Sequence, residues 1–525
     1  MIHPYSHYPA RAAQRWPEQI ALVEGERRRT YRQLDENATR LARALVGLGL
    51  QPGERVAVVQ ENRIEYVETA IAIARAGGAL VPLLGALTAA EHAFMVGDAE
   101  ARFVIALSSD ATPRAKDAAG EHAVVLDAGS DADAATGNGL TNLAALAREE
   151  SAAPLGIDRP PDSLAQILYT SGTTGHPKGV THSYASVAAA MGAWATAFDI
   201  GPNDRLLGQL ALSHFGGRAM DASWVGGATL VILPGPDPKA MLGAIVEHGV
   251  TMILMIPTLL RVLLDHPDAA DADLSSLRAV VYAAAPAAPA LVRRSLERLG
   301  PVLYTGFGQT EAYALNTWMG PDEHVTALGA GGERLTSVGR ACRAFAQVRI
   351  CDEDGSEVPC GGIGEICVCA PWVTPGFWKR PELDRERLQG GWLRTGDLGR
   401  TDAEGYVFLA DRKEDKIITG GFNVYPAEIE GALAEHPAVA ECAVFAIPDP
   451  KWGEAVRAAV TLRPGHRANA EELVAFCKEN LARFKVPKAI DVLEELPKSG
   501  VGKILRRALR EPWWKDQGRA VHGAE

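Results

Sequence analysis

Apolar residues along the first part of the chain recur at two alternating spacings. Across residues 31–50 they fall three and four positions apart and the run closes at a glycine, which predicts an amphipathic helix. The short apolar run at 55–60 predicts a buried strand, and residues 65–83 predict a second helix, a Gly-Gly break and a further strand. This alternation predicts an α/β fold with layers built on largely parallel sheets.

The same alternation resumes at Ser163 and continues to about residue 320, but the pattern changes after Val338. From there short β-type runs are separated by Gly and Asp turns, which predicts a small β subdomain. After Arg412 an α/β pattern returns. Residues 127–140 are small, polar and acidic and predict a surface loop, and residues 511–525 predict a frayed tail in which only Trp513 and Trp514 pack back.

Composition narrows the functional classes. Hydrophobic residues make up 47% of the 525 positions and the formal net charge is −12, so the chain has apolar material for several cores and lacks the overall positive charge of a nucleic-acid binder. Seven cysteines without a C-x-x-C pair argue against a disulfide framework or a zinc site. No apolar leader and no apolar run of about 20 residues is visible, which favours a cytoplasmic protein without a membrane span.

Residues 169–180, YTSGTTGHPKGV, carry the strongest chemical signal. They follow a strand-like run and precede a helix-like one, and they combine glycines, hydroxyl side chains and Lys178. Glycines let backbone N–H groups turn toward an anion, and the lysine adds a positive charge for phosphate. A Walker A loop would need glycine where Pro177 stands, so this is a different phosphate-binding loop.

The loop resembles the phosphate loop of the adenylate-forming superfamily, which includes acyl-CoA synthetases, peptide-synthetase adenylation domains and luciferases. Further matches follow in the family's order: TGFGQTEA at 305–312, WLRTGDLGR at 392–400, DRKEDKIITGGFNVYPAEIE at 411–430 and PKSGVGKILRR at 497–507. The resemblance implies a large N-terminal lobe, residues 1–412, of layered α/β subdomains plus a small β-barrel-like subdomain. Residues 413–416 would be a hinge, and 417–525 a small mobile α+β C-terminal domain.

The resemblance also assigns binding residues for the implied cofactors ATP, Mg²⁺ and coenzyme A. Phe307 would stack on adenine, Asp397 and Arg412 would contact ribose, and the two glycines of the fourth motif would admit a pantetheine arm. The residues implied to bind nucleotide or coenzyme A are Thr170, Ser171, Gly172, Thr173, Thr174, Lys178, Ala285, Pro286, Gly306, Phe307, Gly308, Asp397, Arg412, Gly420 and Gly421.

Four residues are implied to take part in catalysis. Thr310 would contact the α-phosphate, and Glu311 would hold Mg²⁺, because a hard cation prefers carboxylate oxygen. Lys503 would bridge the carboxylate and the α-phosphate as charge builds there during adenylation. His214 resembles the gating residue of acyl-CoA and aryl-CoA synthetases, and a structural histidine at a strand end is the alternative.

The expected reaction is activation of a carboxylic acid to an acyl-adenylate, followed by thioester formation with coenzyme A. His214 stands where amino-acid-activating relatives carry Asp, and Asp221 comes seven residues later, so an amino-acid substrate is disfavoured. The alanines before Pro286 replace the glycines common in the family and predict a modest apolar pocket for a medium aliphatic or aromatic acid.

Other interpretations stay open at this point. Arg218 could read a second carboxylate, as in a dicarboxylate-specific CoA ligase, or it could be a structural ion-pair residue. An acyl-AMP ligase that loads a separate carrier protein is the alternative enzyme, and a non-catalytic nucleotide-binding paralogue is the alternative class. The oligomeric state is also open, with a homodimer as one option.

Overall fold

The computed structural model describes residues 7–85, 87–121, 123–129, 140–170, 177–285, 287–342, 345–412, 415–419, 422–498 and 504–514, without the side chains of residues 411, 412, 422 and 423. Up to residue 148 the described chain forms α1 (Tyr8–Arg15), β1 (Ile20–Glu24), β2 (Arg27–Thr30), α2 (Tyr31–Gly47), β3 (Arg55–Gln60), α3 (Ile64–Arg75), β4 (Ala79–Leu84), α4 (Ala89–Ala99), β5 (Ala101–Ala106), α5 (Thr112–Ala119), β6 (Val124–Asp127), β7 (Thr141–Asn142) and α6 (Leu143–Arg148).

The next stretch continues the alternation of strands and helices. It forms β8 (Leu164–Thr170), β9 (Lys178–Ser183), α7 (Tyr184–Ala197), β10 (Arg205–Gly208), α8 (Gly217–Gly226), β11 (Thr229–Ile232), α9 (Pro238–His248), β12 (Met252–Met255), α10 (Pro257–Asp265), β13 (Ala279–Ala283), α11 (Pro289–Leu299), β14 (Leu303–Gly306), β15 (Thr317–Trp318) and α12 (Pro321–Gly329).

The remainder is richer in strands. It forms β16 (Arg340–Ala341), β17 (Gln347–Cys351), β18 (Gly364–Cys369), α13 (Pro381–Arg387), β19 (Leu388–Gln389), β20 (Trp392–Thr401), β21 (Val407–Arg412), β22 (Ile417–Thr419), β23 (Phe422–Val424), α14 (Pro426–Ala434), β24 (Val439–Asp449), β25 (Gly453–Leu462), α15 (Ala470–Asn480), β26 (Ala489–Val492) and α16 (Arg506–Trp514).

Two seven-stranded sheets organise the first part of the chain. One runs β14-β13-β12-β10-β11-β1-β2 and the other β7-β6-β5-β3-β4-β8-β9. Their pairings are parallel except β1 with β2 in the first and β8 with β9 in the second. The predicted largely parallel α/β sheets are therefore confirmed, and the antiparallel β8–β9 hairpin is the place where the second sheet departs from them.

Alternate strand residues face different cores, which arranges the two sheets and their helices in five layers. In β3, Val56 and Val58 point into the large central core while Ala57 and Val59 point away from it toward α4 and α5. In β12, Met252 belongs to the same central core. Ile253 instead faces the core under α9, α10 and α11. Helices α2, α3, α7 and α8 therefore lie between the sheets, as period-2 side-chain alternation requires.

Local sequence explains the element ends that bear on these layers. Helix α2 begins at Tyr31 because Thr30 caps it. The Thr30 hydroxyl accepts a hydrogen bond from the Gln33 backbone N–H at 3.2 Å, and the Gln33 side-chain oxygen accepts one from the Thr30 backbone N–H at 3.0 Å. The strand predicted at 55–60 is confirmed by β3, and the helix predicted at 31–50 is confirmed as α2, which ends at Gly47. The helix predicted after the Tyr169 loop is confirmed as α7, although β9 lies between the loop and this helix.

The β subdomain and the C-terminal part form two further five-stranded sheets. Strands β17, β18, β20, β19 and β21 pair antiparallel, as the short β runs predict. In the C-terminal sheet β26 pairs parallel to β25, and α14 and α15 cover one face. The Trp514 indole N–H donates to the Ala446 carbonyl at 3.1 Å, which confirms that Trp514 packs back, whereas Trp513 lies under Arg457 but is 43% exposed. Of the tail predicted as frayed, residues 511–514 instead belong to α16, and residues 515–525 lie outside the described residues.

The fold class matches the sequence prediction of a large α/β lobe, a β subdomain and a smaller α+β unit. Arg261 of α10 donates to the Ala440 carbonyl at 2.8 Å, which joins the large lobe to the C-terminal sheet. Of the predicted loop at 127–140, residues 130–139 lie outside the described residues, and Asp127 itself ends β6 in a buried position. Among the described helices none is both long enough and apolar enough to cross a membrane.

Candidate active site

The predicted phosphate loop connects the two strands of the β8–β9 hairpin. Thr170, the last residue of β8, pairs with Lys178, the first residue of β9. Ser171, Gly172, Thr173 and Thr174 lie between them, outside the described residues. The end of β8 is anchored because the Tyr169 hydroxyl donates to the Asp98 carboxylate at 2.6 Å. The hairpin therefore fixes where both ends of the loop stand.

Lys178 meets the second predicted motif directly. Its Nζ lies 3.0 Å from Oε1 of Glu311, although 133 positions separate the two residues in sequence. Glu311 occupies the short 3₁₀ turn Thr310–Ala312 and is 5% exposed. Burial alone would raise the pKa of Glu311, but the positive charges of Lys178 and Arg387 outweigh it and lower that pKa, so the carboxylate is ionised. The positively charged Lys178 and the negatively charged Glu311 are therefore in direct contact in the candidate site.

Hydrogen bonds from two other segments, strand β9 and the connection between β18 and α13, hold the turn that carries Thr310 and Glu311. The Thr374 backbone N–H donates to the Glu311 carbonyl at 2.7 Å. The Nε2 of His182, in β9, lies 2.9 Å from the Thr310 carbonyl oxygen. Burial lowers the pKa of His182 to about 3, so the ring is neutral at pH 7 and Nε2 carries the proton that it donates to this carbonyl.

The glycines and the aromatic residue before this turn are placed by packing against neighbouring backbone. A Cβ on Gly306 would lie 2.3 Å from the Thr317 carbonyl oxygen, and one on Gly308 would lie 2.7 Å from that of Ala314, so both positions require glycine. Phe307 is only 6% exposed and packs in the apolar core of the β subdomain. Its stacking on adenine stays a prediction, and the exposed area that it could offer a ring is small.

The structure brings together the two residues predicted to contact ribose. Asp397 in β20 and Arg412 in β21 are direct cross-strand partners, and Asp397 is half-buried. The strand segment before Asp397 is held by Glu365, which accepts from the Gly396 backbone N–H at 2.9 Å and pairs with Arg394 at 2.8 Å. The Asp397 backbone therefore stands at a fixed position next to that of Arg412.

The residues predicted for the acid pocket lie at two strand ends of the first sheet. His214 lies half-buried in the turn between β10 and α8, where its Nδ1 is 2.8 Å from the Ser213 hydroxyl. Ala284 and Ala285 follow β13 and are exposed, while Pro286 lies outside the described residues. Ala284 has φ +71°, a backbone conformation in which a Cβ is strained. The alanine that replaces a common glycine therefore carries a conformational cost.

Three predicted residues of the C-terminal part, Gly420, Gly421 and Lys503, lie outside the described residues, but their flanks do not. Strands β22 and β23 pair Thr419 with Phe422, which are the neighbours of the two glycines. On either side of Lys503, Lys498 and Ile504 form a β-bridge. The roles predicted for the two glycines and for the lysine stay predictions.

The residues present fit a magnesium nucleotide. The hydroxyl oxygen of Thr170, the cross-strand partner of Lys178, and the side-chain amide nitrogen of Gln309, two positions before Glu311, are buried polar atoms without a hydrogen-bond partner among the described residues. Within the described residues no three His, Cys, Asp or Glu side chains cluster as a ready metal cage. Glu311 would therefore supply one carboxylate to a Mg²⁺ whose other ligands are phosphate oxygens and water, the usual arrangement for this ion.

Sequence reasoning missed the residues that support the turn from behind. Arg218 was assigned either to a second substrate carboxylate or to a structural ion pair, without a named partner, and Asp221 only to an amino-acid substrate, which was disfavoured; no role was predicted for Tyr313. All three are buried and mutually in contact. The one signal available was the three-residue spacing of Arg218 and Asp221, which suits an ion pair on a helix.

Comparisons with known proteins identify the family of the chain. Residues 9–378 match the model of the AMP-binding enzyme family, and residues 428–503 match the C-terminal domain of AMP-binding enzymes. The chain is 35% identical to the medium/long-chain-fatty-acid–CoA ligase FadD8 of Mycobacterium tuberculosis, over 98% of this chain and 91% of that one. It is 34% identical to feruloyl-CoA synthase of an Amycolatopsis species, over 96% and 98% respectively.

A solved structure shows the same likeness in three dimensions. ATP-bound MatB from Rhodopseudomonas palustris superposes with a TM-score of 0.87 at 32% identity, covering 98% of this chain and 100% of that one. The family models, the sequence relatives and the fold therefore agree on one family. The chain belongs to the AMP-binding enzyme family of the adenylate-forming superfamily and is a ligase of the acyl-CoA synthetase type.

Proposed function

We propose that this chain converts a medium aliphatic or aromatic carboxylic acid to its acyl-adenylate with MgATP and then transfers the acyl group to free coenzyme A. The observation that carries the proposal is the 3.0 Å contact between Lys178 and Glu311. One charge suits the phosphate groups of the nucleotide and the other suits the cation that accompanies them. The two charged side chains come from motifs far apart in sequence and are brought into contact by the fold.

In the first half-reaction a carboxylate oxygen of the acid attacks the α-phosphorus, a P–O bond to pyrophosphate breaks, and pyrophosphate leaves. Lys178 would hold phosphate oxygens, Thr310 would donate to the α-phosphate, and Asp397 would accept from the ribose hydroxyls. Mg²⁺ on Glu311 would offset phosphate charge. Lys503 would approach the oxygens on which negative charge grows.

In the second half-reaction the coenzyme A thiol, as thiolate, attacks the acyl carbon and AMP leaves with the bonding electron pair. The C-terminal domain, residues 417–525, would turn about the hinge at 413–416 between the steps, so that Lys503 withdraws and the segment around Gly420 approaches. The bridge between Lys498 and Ile504 brings together the two ends of the segment that carries Lys503.

The preference for an uncharged acyl chain rests on Arg218. Its guanidinium already has a partner, since Nη2 lies 3.5 Å from the Asp221 carboxylate, and both side chains are buried. The cavity beside them has a volume of about 10 Å³, room for one water molecule rather than a second carboxylate. These contacts favour the ion-pair interpretation of Arg218 over the dicarboxylate-specific ligase.

A panel assay tests the proposal. The full-length protein is incubated with MgATP and straight-chain, aromatic and dicarboxylic acids, with and without coenzyme A, while pyrophosphate release and thioester mass are followed. We expect pyrophosphate and thioester with a medium-chain or aromatic acid. Adenylate without any thioester would favour the ligase that loads a carrier protein, and no pyrophosphate with any acid would overturn the proposal.

A further inference from the structure

Behind the proposed cation site lies a buried polar cluster that the predicted chemistry does not use. Arg218 and Asp221, on the first turns of α8, are 6% and 3% exposed, and Tyr313 is 6% exposed. Burying a charged side chain costs free energy unless it is paired, so we expect a buried cluster of this kind to have a structural or functional role.

Tyr313 is the centre of the cluster. Its hydroxyl lies 3.1 Å from the Gln166 side-chain oxygen in β8 and 3.2 Å from the Asp221 carboxylate, and its ring lies 4.6 Å from that of His182 in β9. Burial raises the pKa of Tyr313 well above its usual value, so the hydroxyl keeps its proton. One side chain thus touches both strands of the phosphate-loop hairpin and the helix α8.

Arg218 contacts both the backbone and the ring of Tyr313. Its Nη1 donates to the Tyr313 backbone carbonyl at 3.2 Å, and its guanidinium carbon lies 3.4 Å from the centre of the Tyr313 ring. A planar guanidinium can stack on an aromatic ring and donate from its edge at the same time, which lysine cannot do. The Asp221 carboxylate, 3.5 Å from Nη2 of Arg218, offsets part of the cost of burying the guanidinium.

Tyr313 has a strained backbone conformation directly after the turn that carries Thr310 and Glu311. Tyr313 directly follows the turn Thr310–Ala312 and has φ +49° and ψ −34°, a region that residues with a Cβ rarely occupy. Such a conformation persists only when the surroundings hold it. The contacts with Arg218 and the His182 donation to the Thr310 carbonyl hold it from two sides.

We propose that Arg218 is a positioning residue that locks Tyr313 and thereby fixes the Thr310–Glu311 turn, so that the Glu311 carboxylate stands ready for the nucleotide's cation. In this role Arg218 would act through Tyr313 and not through contact with phosphate or metal. The proposal rests on the proposed function, because it assumes that Glu311 binds the cation that accompanies ATP. It assigns to α8 a role in cation-dependent nucleotide binding rather than in reading the acid.

The test removes both charges of the pair together, so that no unpaired charge remains buried. The double variant Arg218→Met/Asp221→Asn is compared with Arg75→Met/Asp35→Asn, which removes another Arg–Asp pair, with a largely buried arginine and a half-buried aspartate, that joins α3 to α2. Calorimetry measures the dissociation constant of ATP with Mg²⁺ and with EDTA, and the ratio of the two constants gives the gain in affinity that Mg²⁺ provides. Thermal unfolding of each variant is recorded in parallel.

We expect the Arg218→Met/Asp221→Asn variant to lose at least about 5-fold of the Mg²⁺-dependent gain, the loss that results when about 1 kcal/mol of positioning is removed. The Arg75→Met/Asp35→Asn variant should keep the gain even where its unfolding temperature falls as far. Arg218→Lys keeps the charge next to Asp221 but not the stacked plane, so it should restore stability more than it restores the gain.

Two outcomes would overturn the proposal. The first is that Mg²⁺ increases the ATP affinity of the wild type and increases that of the Arg218 variants equally, which would make Arg218 a structural residue only. If the two double variants lose the gain equally, the effect belongs to general destabilisation. Wild-type protein that binds no ATP under either condition would instead contradict the proposed function, so the two failures are distinguishable.

Discussion

Neutralising Glu311 should strengthen the binding of metal-free ATP. Without a nucleotide, Lys178 is engaged by Glu311 at 3.0 Å, and metal-free ATP must break this pair and approach a buried carboxylate of its own sign. In Glu311→Gln the lysine loses that partner and the repulsion disappears, while side-chain size is kept. The variant intended to destroy the cation site is therefore expected to bind the free anion better.

The magnitude follows from the geometry of the pair. At 3.0 Å the Coulomb attraction is roughly 5 kcal/mol with an effective dielectric constant near 20. The Lys178 side chain is 22% exposed, so water screens part of this attraction, and the gain left for the nucleotide is about 1–2 kcal/mol. At 1.4 kcal/mol per factor of ten, the dissociation constant of metal-free ATP should fall by roughly 5- to 30-fold.

Calorimetric titration of ATP into wild type and Glu311→Gln, each in EDTA and in Mg²⁺, measures this effect. Glu65→Gln is the matched control, because the Glu65 side chain is 6% exposed against 7% for Glu311 and is also paired, in this case with Arg27. We expect tighter binding in EDTA and a smaller Mg²⁺ effect for Glu311→Gln alone. Equal or weaker metal-free binding by this variant would refute the view that the pair restrains Lys178.

Three further predictions concern strain, pH and the C-terminal lysine. Ala284→Gly should stabilise the fold by about 0.5–1 kcal/mol because it relieves a positive φ, whereas Ala283→Gly, at a buried strand position, should destabilise it; urea unfolding compares the two. His182 has its pKa lowered from 6.5 to about 3, so below pH 6.5 the unfolded chain takes up a proton that the folded site refuses. Stability should therefore fall by up to about 1.4 kcal/mol per pH unit toward pH 3, and His182→Gln should lose this slope in urea titrations across pH. Lys503→Ala should strongly reduce pyrophosphate release yet spare thioester formation from supplied acyl-adenylate, and rapid-quench experiments measure the two half-reactions separately. Equal loss in both would count against a lysine that serves only the first half-reaction.

Much of the fold was readable because periodicity reports local geometry. The helix at 31–50 has its apolar stripe and its Thr30 cap in the sequence, and the two sheets follow from alternating short apolar runs. The changed pattern after Val338 marked the antiparallel β subdomain. The domain boundaries at 412 and 417 stay predictions.

The site was only partly readable because its parts come from distant segments. The motifs named Lys178 and Glu311, but no spacing rule predicts a contact across 133 positions. The i,i+3 pair of Arg218 and Asp221 was visible as a pattern, whereas the stacking on Tyr313 depends on how α8 packs against the turn. Burial of Phe307 likewise depends on a β subdomain that lies later in the chain.

Isotope transfer tests the central claim, activation of an acid through its adenylate, most directly. The acid that gives most thioester in the panel is labelled with oxygen-18 in its carboxylate and incubated with the protein, MgATP and coenzyme A, and AMP and acyl-CoA are analysed by mass spectrometry. The account predicts one labelled oxygen in AMP for each thioester formed, because the carboxylate oxygen stays on the α-phosphorus. Label in inorganic phosphate together with ADP, or thioester formed with unlabelled AMP, would contradict it.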